Sequence, residues 1–350
     1  MPRSEPEFVE ALKEEASAFP LWRFHNAKVE RPKVLPHVWR WSMMERFAQE
    51  AGDLPELKGQ GDRRALVMSN PGLKMPFSGA TKTLTSAIQI VWPGEIATAH
   101  RHTPAAIRFI IQGNGAFTVQ DGERFIMDQG DFTLTPSFVW HDHGNLTEKP
   151  MIWLDVLDAP LVGYLDASFF EDFPEDEQPI IHPEGYTNVR VGHGLMRGLA
   201  DRPAHNRPLP VTYKWDQAYG ALRDFDQSTP FDGVAMEYIN PITGGHCMPT
   251  VAAVLSRLRP GERTGAHRHT ATTIYHVAKG SGFSIVDGKE LAWSKGDTFT
   301  LPSWTWHEHG NGSSTDDAVL FSVSDLPLLE AVGLFREEEG NPQQVTGSFD

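Results

Sequence analysis

Two short stretches decide the reading of this chain: PGEIATAHRHT at 93–103 and PGERTGAHRHT at 260–270. They are near copies, and His100 answers His267 at an offset of 167 residues. A second pair follows, GDFTLTPSFVWHDHGN at 130–145 and GDTFTLPSWTWHEHGN at 296–311. Its offset is 166, because GNGAFTVQDG (113–122) is matched by the one-residue-shorter GSGFSIVDG (280–288). The exits agree as well, DAPL at 158–161 and DLPL at 325–328. A repeat this long with a single slip means two copies of one structural unit.

Each copy reads as antiparallel β-structure. Segments such as TLTSAIQIVW, AIRFIIQG, ERFIMDQ and MIWLDVL are short, rich in β-branched or aromatic residues, and bounded by Gly, Pro or Asp-Gly turns. Asp121-Gly122 and Asp287-Gly288 are hairpin signals. Many short strands at even spacing imply a barrel or sandwich that closes its edges, as a jelly roll does. Apolar residues at helical spacing predict helices over Glu7–Phe19 and over Val38–Ala51, the latter through Trp39, Met43, Phe47 and Ala51. A mixed helical stretch, Pro160–Phe173, precedes the acidic EDFPEDEQP, and a further helix is expected near Tyr213–Phe225. The tail EEEGNPQQVTGSFD is polar and is expected to fray. The expected organisation is all-β dominated, two tandem jelly-roll barrels. A helical and extended segment covers 1–80, a first barrel 81–170, a partly helical linker 171–245, and a second, mainly structural barrel 246–350.

Composition narrows the partners. Acidic residues outnumber basic ones 46 to 31, a net charge of −15, which argues against non-specific binding to nucleic acid or an anionic membrane. A hydrophobic content of 40% with 10 Trp and 20 Phe is that of a globular chain. The single cysteine, Cys247, excludes an internal disulfide and a cysteine metal cluster, and suits a reducing cytosol. MPRSEPEFVEALKEE carries no apolar run of the secretory kind, and no stretch approaches the ~18 apolar residues of a membrane helix. A cytoplasmic protein is expected.

The histidines carry the chemistry. His100 and His102 stand two apart on a strand, so both rings leave one face. A closed barrel can bring His141 opposite them, giving three imidazoles around one point. Neutral imidazole suits Fe, Zn, Cu and Ni, and three nitrogen ligands leave coordination positions open. A lone H-x-H is usually a pair of satisfied or exposed histidines; a distant third partner and a duplicated copy favour a metal here.

Gly94, five residues, His100-x-His102, then Gly130, five residues, Pro136 with His141 and Asn145, resemble the two motifs of the cupin superfamily. The glutamate ligand usual in the first motif falls on Ala106, and on Thr273 in the second copy, so a three-histidine site remains. More of the chain, including AHRHTPAAIRFIIQGNGAFTVQDGER, TPSFVWHDHGN and WLDVLDAPLV, with PLWRF, PHVWRW and NPGL at the front, is similar to gentisate 1,2-dioxygenases. That group includes salicylate and 1-hydroxy-2-naphthoate dioxygenases. The resemblance runs from about Pro20 to Glu338 and implies a bicupin fold and a homotetramer. It implies one Fe(II) per subunit on His100, His102 and His141, and O2-dependent cleavage of an aromatic hydroxy acid in aromatic catabolism. Gentisate would give maleylpyruvate; salicylate and 1-hydroxy-2-naphthoate are the alternative substrates.

Differences between the two copies separate scaffold from chemistry. Arg108, Gln89 and Asp155 are matched by Tyr275, Ser256 and Ser322. Arg108 shares the parity of His100 and His102, so it is expected to point inward. A buried guanidinium needs an anion, either an internal carboxylate such as Asp155 or a substrate carboxylate. In the resembling family an active-site arginine and aspartate match these two residues, which favours a substrate role for Arg108 and a catalytic one for Asp155. The family places another arginine near Arg63-Arg64; alternation with Leu66 and Met68 favours Arg64. Gln89 and Thr85 are expected to contact substrate. His143, on the face of His141 without being a ligand, is the expected catalytic hydrogen-bonding group. The second copy keeps His267, His269 and His307, so a second metal is chemically open, and Trp304 and Trp306 suit a packed aromatic interior. A metal-dependent cupin isomerase or decarboxylase, or a non-enzymatic binding bicupin, are the competing classes. The missing glutamate counts against the first, and the intact histidine set beside Arg108 against the second.

Overall fold

The structure, a computed structural model, describes residues 3–18, 20–26, 33–57, 64–73, 79–196 and 208–349. Met1–Lys33 forms one compact unit and Val34–Asp350 another. In the first, α1 (Glu5–Ala16) begins where the Ser4 N–H donates to the Glu7 carboxylate at 2.7 Å, and it ends on left-handed Ser17. A short α2 (Leu21–Asn26) follows, and Arg23 pairs with Glu5 at 2.7 Å.

The second unit holds both repeats. In chain order it begins with β1 (His37–Trp39), α3 (Trp41–Gly52) and β2 (Ala65–Val67). Next come β3 (Thr85–Val91), β4 (Glu95–His102), β5 (Ala106–Gln112), β6 (Asn114–Gln120) and β7 (Glu123–Asp128). The first half closes with β8 (Phe132–Thr135), β9 (His141–Asn145), β10 (Met151–Leu157), α4 (Ala159–Tyr164) and β11 (Phe170–Asp172). After α5 (Tyr186–Arg190) come β12 (Thr212–Tyr213), α6 (Trp215–Asp224), β13 (Val234–Glu237), β14 (Ala252–Leu258), β15 (His267–His269) and β16 (Thr273–Lys279). The chain ends with β17 (Ser281–Val286), β18 (Lys289–Ser294), β19 (Thr298–Leu301), β20 (His307–Asn311), β21 (Ala318–Ser324), α7 (Leu326–Ala331), β22 (Glu337–Glu339) and β23 (Gly347–Ser348).

Sheet β12-β8-β5-β10-β3-β2 faces sheet β11-β4-β9-β6-β7, and the second half repeats the order as β1-β19-β16-β21-β14-β13 against β22-β15-β20-β17-β18-β23. The two-barrel expectation is met. Each barrel turns one sheet toward the other, which is why those strands are apolar on both faces. Along β3, Ile88 and Ile90 join a core shared with Leu255, Ile274, Phe321 and Val323 of the other barrel. Val91 points the other way, into its own barrel with Ile110, Met127 and Trp153. Phe109 stacks on Phe321 at 4.4 Å across the junction.

One feature of the topology was not legible in the repeat. The segment before each barrel docks on the other barrel: β1 pairs with β19 and β12 with β8. The Trp41 N–H donates to Asp297 at 2.8 Å, and the Trp215 N–H to Asp131 at 2.9 Å. Arg40 pairs with Asp297 as Lys214 does with Asp131. The glycine of each Gly-Asp turn is needed for this. Gly130 and Gly296 have φ of 87° and 89°, and a Cβ on either would lie 2.5 Å from the Trp215 or Trp41 ring. The stretches read as leading segment and linker therefore supply barrel strands.

Local differences have local causes. The helix expected over Val38–Ala51 starts at Trp41 because 37–39 is drawn into the ladder. The Pro160–Phe173 helix stops at Tyr164, beyond which Asp166 adopts a left-handed φ of 52° and 170–172 pairs along β4. The tail does not fray. Glu337–Glu339 pairs with β15, Gly347–Ser348 runs parallel to β18, and Phe349 packs against the second core. Trp304 and Trp306 are not interior residues: both are half-buried under the Arg268 guanidinium, at 4.4 and 4.6 Å. Among the described residues no helix is long and apolar enough to cross a membrane.

Candidate functional site

His100 and His102 lie on β4 and His141 opens β9. Between Ala97 and His100 the β4–β9 ladder slips, so Ala97 faces His143 while His100 faces His141. This bulge brings the H-x-H pair against the third imidazole. Ring centroids are 4.4 Å apart for His100 and His141, 4.8 Å for His102 and His141, and 5.5 Å for His100 and His102. Candidate ligand atoms of all three lie within 4.8 Å of one another.

The tautomers are set by the backbone. Each Nδ1 contacts a carbonyl, His100 to Thr98 at 2.7 Å, His102 to Pro104 at 2.7 Å and His141 to Val139 at 2.9 Å. A carbonyl only accepts, so each Nδ1 carries a proton, and in the neutral ring Nε2 then keeps its lone pair. The Nε2 of His141 is buried with no partner among the described residues. Burial, and then the neighbouring His100, push His102 down to about 4. Burial also holds His141 well below the ordinary imidazole range. Three convergent rings with backbone-anchored Nδ1 atoms fit a metal ion.

Arg108, on β5, is buried opposite Asp155 of β10. The chain turns between His102 and Arg108, so parity along the chain does not aim this side chain; the β5–β10 ladder does. Arg108 Nε lies 3.0 Å from Asp155 Oδ1, although its N–H is not directed at that oxygen. Nη1 donates to Thr135 Oγ1 at 2.8 Å, and Trp153 Nε1 donates to Asp155 Oδ2 at 2.9 Å. The internal carboxylate weighed as the partner of Arg108 is thus present. Burial pushes the Asp155 carboxyl up and the Arg108 guanidinium down, while their mutual attraction opposes both shifts.

His143 shares the inner face of β9, its ring 5.6 Å from His141 and 5.7 Å from Trp153. Burial, followed by the charge of Arg108, keeps it neutral, and its Nδ1 is buried without a partner among the described residues. Gln89 is buried on the same inner face of β3, opposite Trp153, and Thr85 starts that strand opposite Leu157. Arg64 is not brought to the histidines. Its backbone pairs with Ile90, and its guanidinium is tied to Glu95 and to the Leu57 carbonyl. Arg63 lies outside the described residues. Three groups escaped the reading of the sequence. Gln120 sits opposite His141 with both amide atoms buried and unpartnered among the described residues. Phe170 stacks on His100 at 5.1 Å, and Thr135 holds Arg108. Only the β6–β9 register, which sets Gln120 opposite His141, could have found Gln120.

Residues 87–157 and 254–324 each match the Cupin domain family. The chain is 39% identical to a 5-aminosalicylate 1,2-dioxygenase of Comamonas sp., covering 96% of this chain and 91% of that protein. It is also 39% identical to gentisate 1,2 dioxygenase 1 of Aquipseudomonas alcaligenes, covering 91% and 92%. The chain belongs to the gentisate 1,2-dioxygenase family. Among solved structures, the salicylate 1,2-dioxygenase of Pseudoaminobacter salicylatoxidans with gentisate is similar at a TM-score of 0.86. The identity is 32%, over 98% of this chain and 96% of that one. As a gentisate 1,2-dioxygenase family member, the chain is an oxidoreductase of the ring-cleaving type, and the histidine cluster of the first barrel has the grouping that could hold a metal ion.

Proposed function

We propose that this protein cleaves gentisate (2,5-dihydroxybenzoate) with O2 to give maleylpyruvate, at a single Fe(II) in the first barrel. The observation that carries the reading is three convergent imidazoles, their Nδ1 atoms anchored, in one barrel with a buried arginine–aspartate pair. His100, His102 and His141 would hold the ion through Nε2, and Fe(II) there would supply the redox chemistry for joining an aromatic acid to dioxygen.

The chain's own groups bind and orient. Asp155 and Thr135 engage the Nε and Nη1 side of Arg108, which leaves Nη2 to meet the substrate carboxylate. Asp155 acts through Arg108 by fixing its plane, and Trp153 in turn fixes Asp155. His143, neutral and buried, offers a nitrogen to a substrate hydroxyl, and Gln120 offers an amide beside His141. Gln89 and Thr85 flank the ring along β3. Fission falls between the carboxyl-bearing carbon and its hydroxylated neighbour, and both oxygen atoms enter the product.

5-Aminosalicylate replaces the 5-hydroxyl of gentisate with an amine and keeps the carboxylate and its neighbouring hydroxyl, so the same clamp would accept it. Oxygen-electrode assays of iron-reconstituted protein with gentisate, 5-aminosalicylate, salicylate and 1-hydroxy-2-naphthoate test the reading. Uptake fastest with gentisate is the expected result. Preference for salicylate, or turnover without oxygen uptake, would overturn it.

A further inference from the structure

The second barrel carries a copy of the histidine cluster that the proposed reaction does not use. His267, His269 and His307 present candidate ligand atoms within 4.8 Å of one another, with ring centroids 4.3 to 5.3 Å apart. Every Nδ1 is again engaged. His269 donates to Ala271 O at 2.9 Å and His307 to Thr305 O at 2.9 Å, whereas His267 meets the Glu337 carboxylate at 3.0 Å. The Nε2 atoms of His267 and His307 are buried without a partner among the described residues. Leaving two buried acceptors unmet in one cluster is costly, and a cation between them removes that cost.

We propose that the second barrel binds its own divalent transition-metal ion on His267, His269 and His307, in a structural role apart from ring cleavage. Two comparisons with the first barrel support the assignment. The ladder position that holds Phe170 beside His102 holds Glu337 beside His269 in the second barrel. A carboxylate behind a ligand imidazole makes it more basic and strengthens its bond to a metal. At the inner positions of Arg108 and Gln120 stand Tyr275 and Val286, so no fixed cation awaits an aromatic carboxylate. Tyr275 instead stacks on Phe299 at 4.9 Å and fills the interior. The ion would also join β15 and β20 to the returning strand β22 through Glu337.

The test is anaerobic Co(II) titration of the metal-stripped full chain, followed by d–d absorption and elemental analysis. Wild type is expected to take two equivalents, and His102→Ala/His141→Ala and His269→Ala/His307→Ala one each. Glu337→Gln keeps the fold, since Glu337 is exposed, and should weaken one of the two equivalents by about 10- to 100-fold. One equivalent in wild type that survives His269→Ala/His307→Ala would overturn the proposal. So would two equivalents indifferent to both that variant and Glu337→Gln. One equivalent surviving only His102→Ala/His141→Ala would uphold this site and refute the first-barrel centre.

Discussion

Arg108→Leu separates the observed pairing with Asp155 from the substrate contact proposed for the same side chain. Arg108 and Asp155 are 4% and 5% exposed and 3.0 Å apart, so neither charge has solvent to fall back on. Removing one member of such a pair costs about 3–5 kcal/mol of stability, because the other charge is left uncompensated. Burial already raises the Asp155 carboxyl, and losing Arg108 raises it further. A raised carboxyl contributes its stability below the unfolded value of about 3.9 and loses it as pH climbs through the folded one. The deficit of the variant against wild type should therefore be smaller at pH 5 than at pH 8. Arg108→Leu/Asp155→Asn removes both charges and should recover most of the loss, since an apolar or neutral replacement of a buried pair is close to neutral. Substrate affinity should not recover with it. Losing a buried guanidinium contact to a carboxylate costs roughly 2–5 kcal/mol, or about 30-fold to several thousand-fold in Kd. Urea denaturation at the two pH values and anaerobic calorimetry with gentisate give the two quantities. If the double variant bound gentisate as wild type does, Arg108 would be a partner for Asp155 and nothing more.

His143→Gln should retain first-barrel metal by elemental analysis while turnover falls on the order of 10²-fold; loss of the metal would refute its non-ligand role. Gln120→Leu should raise KM for gentisate and leave or improve thermal stability, because the amide it replaces is buried without partners among the described residues. A lower melting temperature would show a bond unseen here. Phe321→Ala, at the barrel junction, should cost about 3–5 kcal/mol in guanidinium unfolding, and a value below 1 kcal/mol would mean the junction repacks. His246 is lowered by burial, but its bonds to Glu330 and Glu237 prevail and raise it. Its stabilisation is present below about pH 6.5 and lost as pH rises through the raised value. His246→Gln should flatten the fall in melting temperature between pH 6 and 9, modestly, since the group is partly exposed.

Much of this fold could be read from the chain because duplication is a pattern in sequence itself. The matched GD and HRH segments located both barrels and both histidine clusters before any contact was known. The clustering of the three histidines was legible because H-x-H parity is local and the third histidine sits at a turn marked by glycine and proline. What could not be read depends on pairing between distant strands. Arg64 has the alternation of Leu66 and Met68, but that face looks toward the inter-barrel core, and Glu95 claims its guanidinium. Gln120 looks like any strand residue until the β6–β9 register sets it opposite His141. The tail looked frayed because its composition is polar. Its order comes from ladder hydrogen bonds and the Arg268–Glu338 pair, which composition does not report.

The crossed docking of Trp41 and Trp215 makes each half a lock for the other's key. Severed within 197–207, neither fragment would own a finished barrel: the leading piece would carry a helix and strand with nowhere to sit, and the trailing piece likewise. Mixed, the two pieces should reassociate, each closing its mate. A single half produced alone could satisfy itself only by exchanging arms with a twin.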